Sequence, residues 1–279
     1  MAFLHMAINP MSGLLDARQG LTARNIKDNP IMEKMMYLLA QYLAAAGISL
    51  LEKKDVDSHS NLGFSIENSS MYSRPLNDYG DMLAVNFEKF TLDWISNDVS
   101  TSLRLDGTTH AEILKWIKKM ADIAAIKVPY AYSFHYDFPY QIKDNFVFKL
   151  LDANRLNELL DLRIMAQSVL ETFIEDQNLN SEIRIWPHHF DTGAYAIYND
   201  ISGEAIGLGL AVPDNICRDH YFYISGFKGH EVIDTSDFKP LSPGSWGVNG
   251  YIGAILPTTE IDKKKAIGFL SEAFNQYKN

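Results

Sequence analysis

Cysteine is nearly absent: Cys217 is the single one in 279 residues. No intrachain disulfide is available to it, and nothing asks for an oxidising compartment. A lone thiol of this kind reads as a buried structural residue before it reads as a nucleophile. Long apolar runs are missing too. None reaches the roughly 18 residues that span a bilayer, and the opening "MAFLHMAINPMSG" lacks the basic n-region of a secretion signal. Basic runs are scarce, with nothing longer than Lys263-Lys264-Lys265, and acidic residues outnumber basic ones 35 to 25 for a net charge of -10. Such a chain is poorly suited to nucleic acid or to an anionic membrane surface. The expectation is a soluble, cytoplasmic protein. H-E-x-x-H, C-x-x-C and P-loop patterns do not occur. "GLGLAVPD" has G-x-G without a third glycine or a following helix, which argues against a dinucleotide fingerprint, and "SPGSWG" is not a nucleophile elbow.

What is present is apolar and aromatic: 47% hydrophobic and 12% aromatic residues, enough for a sizeable core. Residues 1–29 are expected to be an irregular N-terminal segment, polar and mixed over 14–29. Pro30 suits a first helical turn, and Met32, Met35, Met36, Leu39, Leu43 and Ala46 repeat at helical spacing up to Gly47, read as the stop. Leu83, Val85 and Phe87 alternate; Phe90, Leu92 and Trp94 alternate in the opposite phase, so a bulge or tight turn is expected at Glu88-Lys89. Thr109 and Glu112 form a capping box ahead of an amphipathic helix. Residues 152–176 read as a second long helix, and a last helix is expected near Thr259, with Asp262 as the other half of a capping box. Helix, strands, helix therefore occurs in 30–150 and again in 151–279. Strand and helix do not alternate, so the predicted class is α+β, mostly antiparallel sheet with flanking helices, in two similar halves that make one compact unit.

Two stretches carry the candidate chemistry. In "PYAYSFHYDFPY", Tyr130, Tyr132, Phe134, Tyr136, Phe138 and Tyr140 share one face of an extended chain, with His135 and Asp137 on the other. The rings either pack on the core or offer a stacking platform to a flat or sugar-like ligand. In "EIRIWPHHFDTGAYAIY", the same two-residue period groups Trp186, His188 and Phe190 towards the core, and Pro187, His189 and Asp191 opposite them. Pro187 removes a ladder donor and predicts a sheet edge or bulge. An imidazole beside a carboxylate can hold a metal, or can poise His189 as an acid/base oriented by Asp191. The H-x-[DE] spacing recurs at His135/Asp137 and His110/Glu112, against about one occurrence from chance mixing. Further candidates follow at Asp214, Tyr223 and Trp246.

The stretches "IRIWPHHFDTG", "GLGLAVPD", "HYFYIS" and "GYIGAILP" occur in an order that resembles a family of uncharacterised bacterial proteins with a W-P-H-H-F-D motif. "HSNLGFS" and "SLRLDGTTHAEILKWI" are similar to its N-terminal half. The resemblance implies no activity. It implies that His188, His189, Asp191, Asp214, Tyr223 and Trp246 stand at pattern positions. This chain departs from the pattern at Val212-Pro213-Asp214, and at Ser245 and Gly247, where the family has histidines beside the tryptophan; no metal site is assigned on this basis. Two readings stay open. One is a small-molecule-binding, hydrolase-like protein with His189 and Asp191 catalytic and His188, Asp214, Tyr223, Trp246, His135 and Asp137 around the ligand, the cofactor unknown. The other is a non-catalytic interaction or scaffold protein in which W-P-H-H-F-D is a structural corner.

Overall fold

The computed structural model describes residues 31–54, 57–97, 99–259 and 261–278. The expected irregular segment 1–29 and the first-turn Pro30 lie outside the described residues. Helix α1, Ile31–Leu50, is apolar on nearly every side, and a helix of that kind must be central. Met32, Met35, Met36, Leu39, Leu43 and Ala46 are all buried, so the methionine stripe is core. The helix does not stop at Gly47; it runs three residues further. Gly47 answers a different need. A Cβ there would lie 2.2 Å from the carbonyl oxygen of His59, so the missing side chain lets the 57–62 segment pass against the helix.

The first sheet is an antiparallel meander of β1 (Gly63–Ser65), β2 (Ser70–Tyr72), β3 (Met82–Asn86), β4 (Thr91–Ser96) and β5 (Val99–Arg104). The phase slip at Glu88-Lys89 is a tight turn: Asn86 Oδ1 accepts from the Lys89 amide at 2.7 Å, and Phe90 takes a left-handed φ of 50°. Helix α2, His110–Ile123, opens with the expected capping box of Thr109 and Glu112. This accounts for one of the three H-x-[DE] pairs: Glu112 caps a helix and His110 is buried, within hydrogen-bonding distance of Tyr42. After α2 the aromatic stretch is irregular, with a bend at His135-Tyr136, and joins neither sheet. The alternation still holds, because residues 132, 134, 136, 138 and 140 are partly buried and residues 131, 133, 135, 137 and 139 are exposed. The rings lie against α1, with Tyr132 4.8 Å from Tyr42 and Phe138 5.8 Å from Tyr37, so side-chain packing, not a strand ladder, holds this arm.

The second half repeats the order. Helix α3 (Ala153–Asp176) is capped by Asp152 and precedes β6 (Arg184–Trp186), β7 (Asp191–Asn199), β8 (Glu204–Ala211), β9 (Tyr221–Lys228), β10 (Glu231–Val232), β11 (Ser245–Trp246), β12 (Ala254–Pro257) and helix α4 (Lys263–Tyr277). The α4 start differs from the expectation: Asp262 is itself the N-cap, accepting from the Lys265 amide at 2.8 Å, rather than the third residue of a box begun at Thr259. The sheet order is β11-β12-β9-β8-β7-β6 with β10 on β9, all antiparallel. Helices α3 and α4 cover one face, packing on Ala194, Ile206, Leu208, Phe222 and Ile224. The fold is therefore α+β, with two mostly antiparallel sheets and flanking helices. Leu62 and Ile185 exchange both backbone hydrogen bonds, 3.0 and 2.8 Å, and tie the sheets together at the β6 edge. Leu156, Leu159, Ile185 and Phe190 join the core of α1 and the first sheet, while the rest of the second sheet packs its own core against α3 and α4. Among the described residues, no helix is long and apolar enough to cross a membrane.

Candidate functional site

The W-P-H-H-F-D stretch is a hairpin. Trp186 and Asp191 are the last pair of the β6–β7 ladder, and residues 187–190 make the loop between them. The Trp186 carbonyl accepts from His189 and Phe190 at 3.2 and 2.6 Å. Pro187 enters the turn with its φ already fixed, and Phe190 leaves it at a left-handed φ of 62°. The two-residue alternation expected for an extended strand thus fails inside the loop. His188 and His189 do not point to opposite faces; their rings are neighbours with centroids 4.3 Å apart, and both are half-buried.

Side chains from two helices and the arm fix this turn. Gln41 of α1 donates to the Pro187 carbonyl at 2.8 Å and accepts from Tyr136 at 2.6 Å; Tyr37 donates to the His188 carbonyl at 3.3 Å. Arg163 of α3, only 6% exposed, donates to the Phe190 carbonyl and to Thr192 Oγ1 (2.7 Å), with its guanidinium 4.1 Å from the Phe190 ring centroid. Burial pulls the Arg163 pKa down to about 10, against the pull of nearby Asp191, and the group stays a cation at neutral pH.

Asp191 is 2% exposed and accepts from Tyr223 Oη at 2.7 Å. The two are not adjacent, since β8 runs between β7 and β9. The phenol reaches across because Gly209 of the intervening β8 and its partner Gly193 of β7 carry nothing above the sheet; a Cβ on either would lie 2.8 Å from that hydroxyl. On the same face Tyr221 donates to Asp214 at 2.8 Å, and the other Asp214 oxygen accepts from the Ile216 and Cys217 amides, so Asp214 shapes its own loop. Cys217 is half-buried, and burial pushes its thiol pKa up, away from nucleophile range. Trp246 stands apart from the other candidates. It pairs with Ala254, faces the helix side, packs on Phe238 and Tyr277, and donates to the Lys239 carbonyl at 3.0 Å.

The aromatic arm and the hairpin come together. Tyr136 lies 5.6 Å from His188, ring to ring. Its neighbour His135 turns the other way and places Nε2 3.2 Å from Asp57 Oδ2, stacked 6.0 Å from His59. Asp137 is exposed on the same side of the arm as His135. Asp57, His59, Arg163 and the glycine pair join the candidates only through the structure. For the first two a signal existed, a D-x-H spacing that is the reverse of the pattern counted. His59 is buried, and desolvation lowers its pKa although Asp57 pulls it upward. Compared with family models, curated proteins and solved structures, the chain matches none of them.

The buried imidazole of His220 gives this region a pH dependence. His220 lines a small cavity of about 20 Å³ with Glu33, Arg163 and Phe190, room for about one water. Burial, then the charges of Arg163 and Arg155, lower its pKa from 6.5 to about 3. Between those values the unfolded chain holds a proton that the folded chain refuses, so this contribution is complete above pH 6.5 and is lost as pH falls towards 3. Going from pH 7 to pH 5 should cost about 2 kcal/mol through His220 alone. Urea melts of the wild type and H220Q at both pH values check this: the variant should lack that part of the acid loss, and an equal loss in both proteins would count against it.

Proposed function

We propose that the protein binds a small molecule at the Trp186–Asp191 hairpin and carries out hydrolase-like acid–base chemistry there, with His189 as the proton-transfer group, Asp191 as its orienting acid and His188 beside it. Asp214, Tyr223, His135, Asp137 and Trp246 complete the residues assigned to the ligand in this reading, Trp246 by its motif position alone. The observation that carries it is a rigid turn presenting two half-buried imidazoles: Tyr37, Gln41 and Arg163 fix the loop at the His188, Pro187 and Phe190 carbonyls. A proton-transfer group must be held within fractions of an ångström of its working position and still be reachable. Directly behind the turn, Asp191 and Tyr223 place a carboxylate and a phenol in contact. In this proposal the protein is cytoplasmic, belongs with the W-P-H-H-F-D proteins it resembles, and has no nucleic-acid or membrane partner; its negative charge supports the last point.

The scaffold reading draws on the same bonds, because Pro187, Phe190 and Asp191 are all buried. Replacing His189 separates the two. With p-nitrophenyl acetate and p-nitrophenyl phosphate as probes, H189Q is expected to lose about 100-fold or more of the wild-type turnover, with a melting temperature within about 2 °C of wild type, as befits a half-buried side chain. Equal turnover in both proteins favours the scaffold.

A further inference from the structure

We propose that Asp57, His59 and His135 form a binding site for one divalent transition-metal ion of the zinc class. Each residue offers one ligand atom, and the three atoms lie within 4.8 Å of one another. Two imidazoles and one carboxylate are a common donor set for such ions, leaving a fourth position for water or a substrate oxygen. A tetrahedral ion with bonds of about 2.1 Å sets its ligand atoms about 3.4 Å apart. The His135–Asp57 pair, at 3.2 Å, already has that spacing. The other separations have at most about 1.4 Å to close, which a change in side-chain torsion supplies.

The surroundings favour a site over a passing ion pair. Asp57 holds a left-handed φ of 50° and is fixed on both sides: its amide donates to the Lys54 carbonyl at 2.9 Å, and its carbonyl accepts from the Ser60 amide and hydroxyl at 3.0 and 2.8 Å. The second carboxylate oxygen, Oδ1, is buried and makes no hydrogen bond to any described residue. A buried oxygen without a donor is costly, and a bound cation would remove that cost. His59 is only 4% exposed, held where Gly47 admits its backbone against α1. His135 lies on the arm that joins no sheet and can adjust, and it and Asp57 are 30% and 41% exposed, so the fourth position faces solvent. The Lys54 amide approaches His59 Nδ1 at 3.4 Å, a long contact that binding through either ring nitrogen would give up cheaply. The positive charges of Lys53 and Lys54 act on His59, and they favour an anion as the fourth ligand.

The proposal stands apart from the reading of the hairpin, and its test keeps the two distinguishable. The full chain is stripped with a chelator and titrated with Zn(II) by calorimetry and with Co(II) by visible absorption. One equivalent should bind, with the ligand-field bands of a tetrahedral site for Co(II). D57N and H135A, both at partly exposed positions, should each weaken binding about 100-fold or more while keeping the wild-type circular dichroism; H188Q and H189Q should bind as the wild type does. The proposal is overturned if the wild type binds no more tightly than the D57N/H135A double variant, or if the tight site disappears in H188Q or H189Q and survives in D57N and H135A.

Discussion

Arg163→Met should destabilise the protein by about 4 kcal/mol, lowering the melting temperature by roughly 10 °C for a chain of this size. Three losses combine. The Phe190 carbonyl and the Thr192 hydroxyl lose their charged donor, and hydrogen bonds to a charged group are worth about 1.5–3 kcal/mol each when measured by deletion. The guanidinium stacked on the Phe190 ring is replaced by a thioether, which keeps most of the apolar contact but not the cation–π term of about 1 kcal/mol. Asp191 stays buried while the nearby positive charge disappears, and a buried carboxylate is less stable without it. Against these stands the relief of burying a cation, which is why the sum is closer to 4 than to 6 kcal/mol. Met is preferred to Ala because it keeps the volume and isolates the polar part. Urea denaturation at pH 7 measures the loss; a change under 1 kcal/mol would mean that the turn holds its shape without Arg163. Arg163→Lys tests geometry, because one ammonium cannot replace the fork that reaches both oxygens, and it should recover less than half of the loss.

Arg163 also shows where the sequence is silent. Its helix is legible from the apolar stripe, but an arginine on a helix gives no sign that it points inward until the hairpin it meets is known. Periodicity made the elements themselves readable: the methionine stripe of α1, the phase slip between β3 and β4, the Thr109–Glu112 box and the alternating arm all follow from side-chain direction within a few residues. The misplacements have local causes. Gly47 looked like a stop because glycine usually marks one, whereas here it clears space for a segment twelve residues away in sequence. The strand period predicts alternating faces for the W-P-H-H-F-D stretch, yet a proline followed by four polar or aromatic residues can close a turn, and the period is lost there. Motif order groups Trp246 with Tyr223, but strand pairing puts it on the opposite face. Asp57 and His135 are separated by 78 positions, and no spacing rule joins them; only the arm lying along α1 does.

The glycine pair gives the second large effect. Gly209→Ala should cost at least about 3 kcal/mol, at the upper end of what overpacking does. Gly209 is in the middle of β8, and its backbone is not in the left-handed region, so the cost is one of space and not of conformation. A methyl there would sit 2.3 Å from the Thr192 carbonyl oxygen, 2.9 Å from Gly193 Cα and 2.8 Å from Tyr223 Oη. The first two belong to the backbone of β7, which cannot yield without opening the ladder that positions Asp191; only the third can rotate away, and then Asp191 loses its 2.7 Å phenol. Gly193→Ala should be milder, because its nearest backbone atom is 3.0 Å away and the closer contact is the movable hydroxyl. Tyr223→Phe divides the two causes: removing the hydroxyl should relieve most of the strain in Gly193→Ala and little of that in Gly209→Ala. Gly268→Ala, on α4 with nothing within 4 Å, is the control and should stabilise by about 0.5–1 kcal/mol through helix propensity alone. If Gly209→Ala behaves like Gly268→Ala in urea melts, the face is not closed over the glycines, and Tyr223 does not depend on them to reach Asp191.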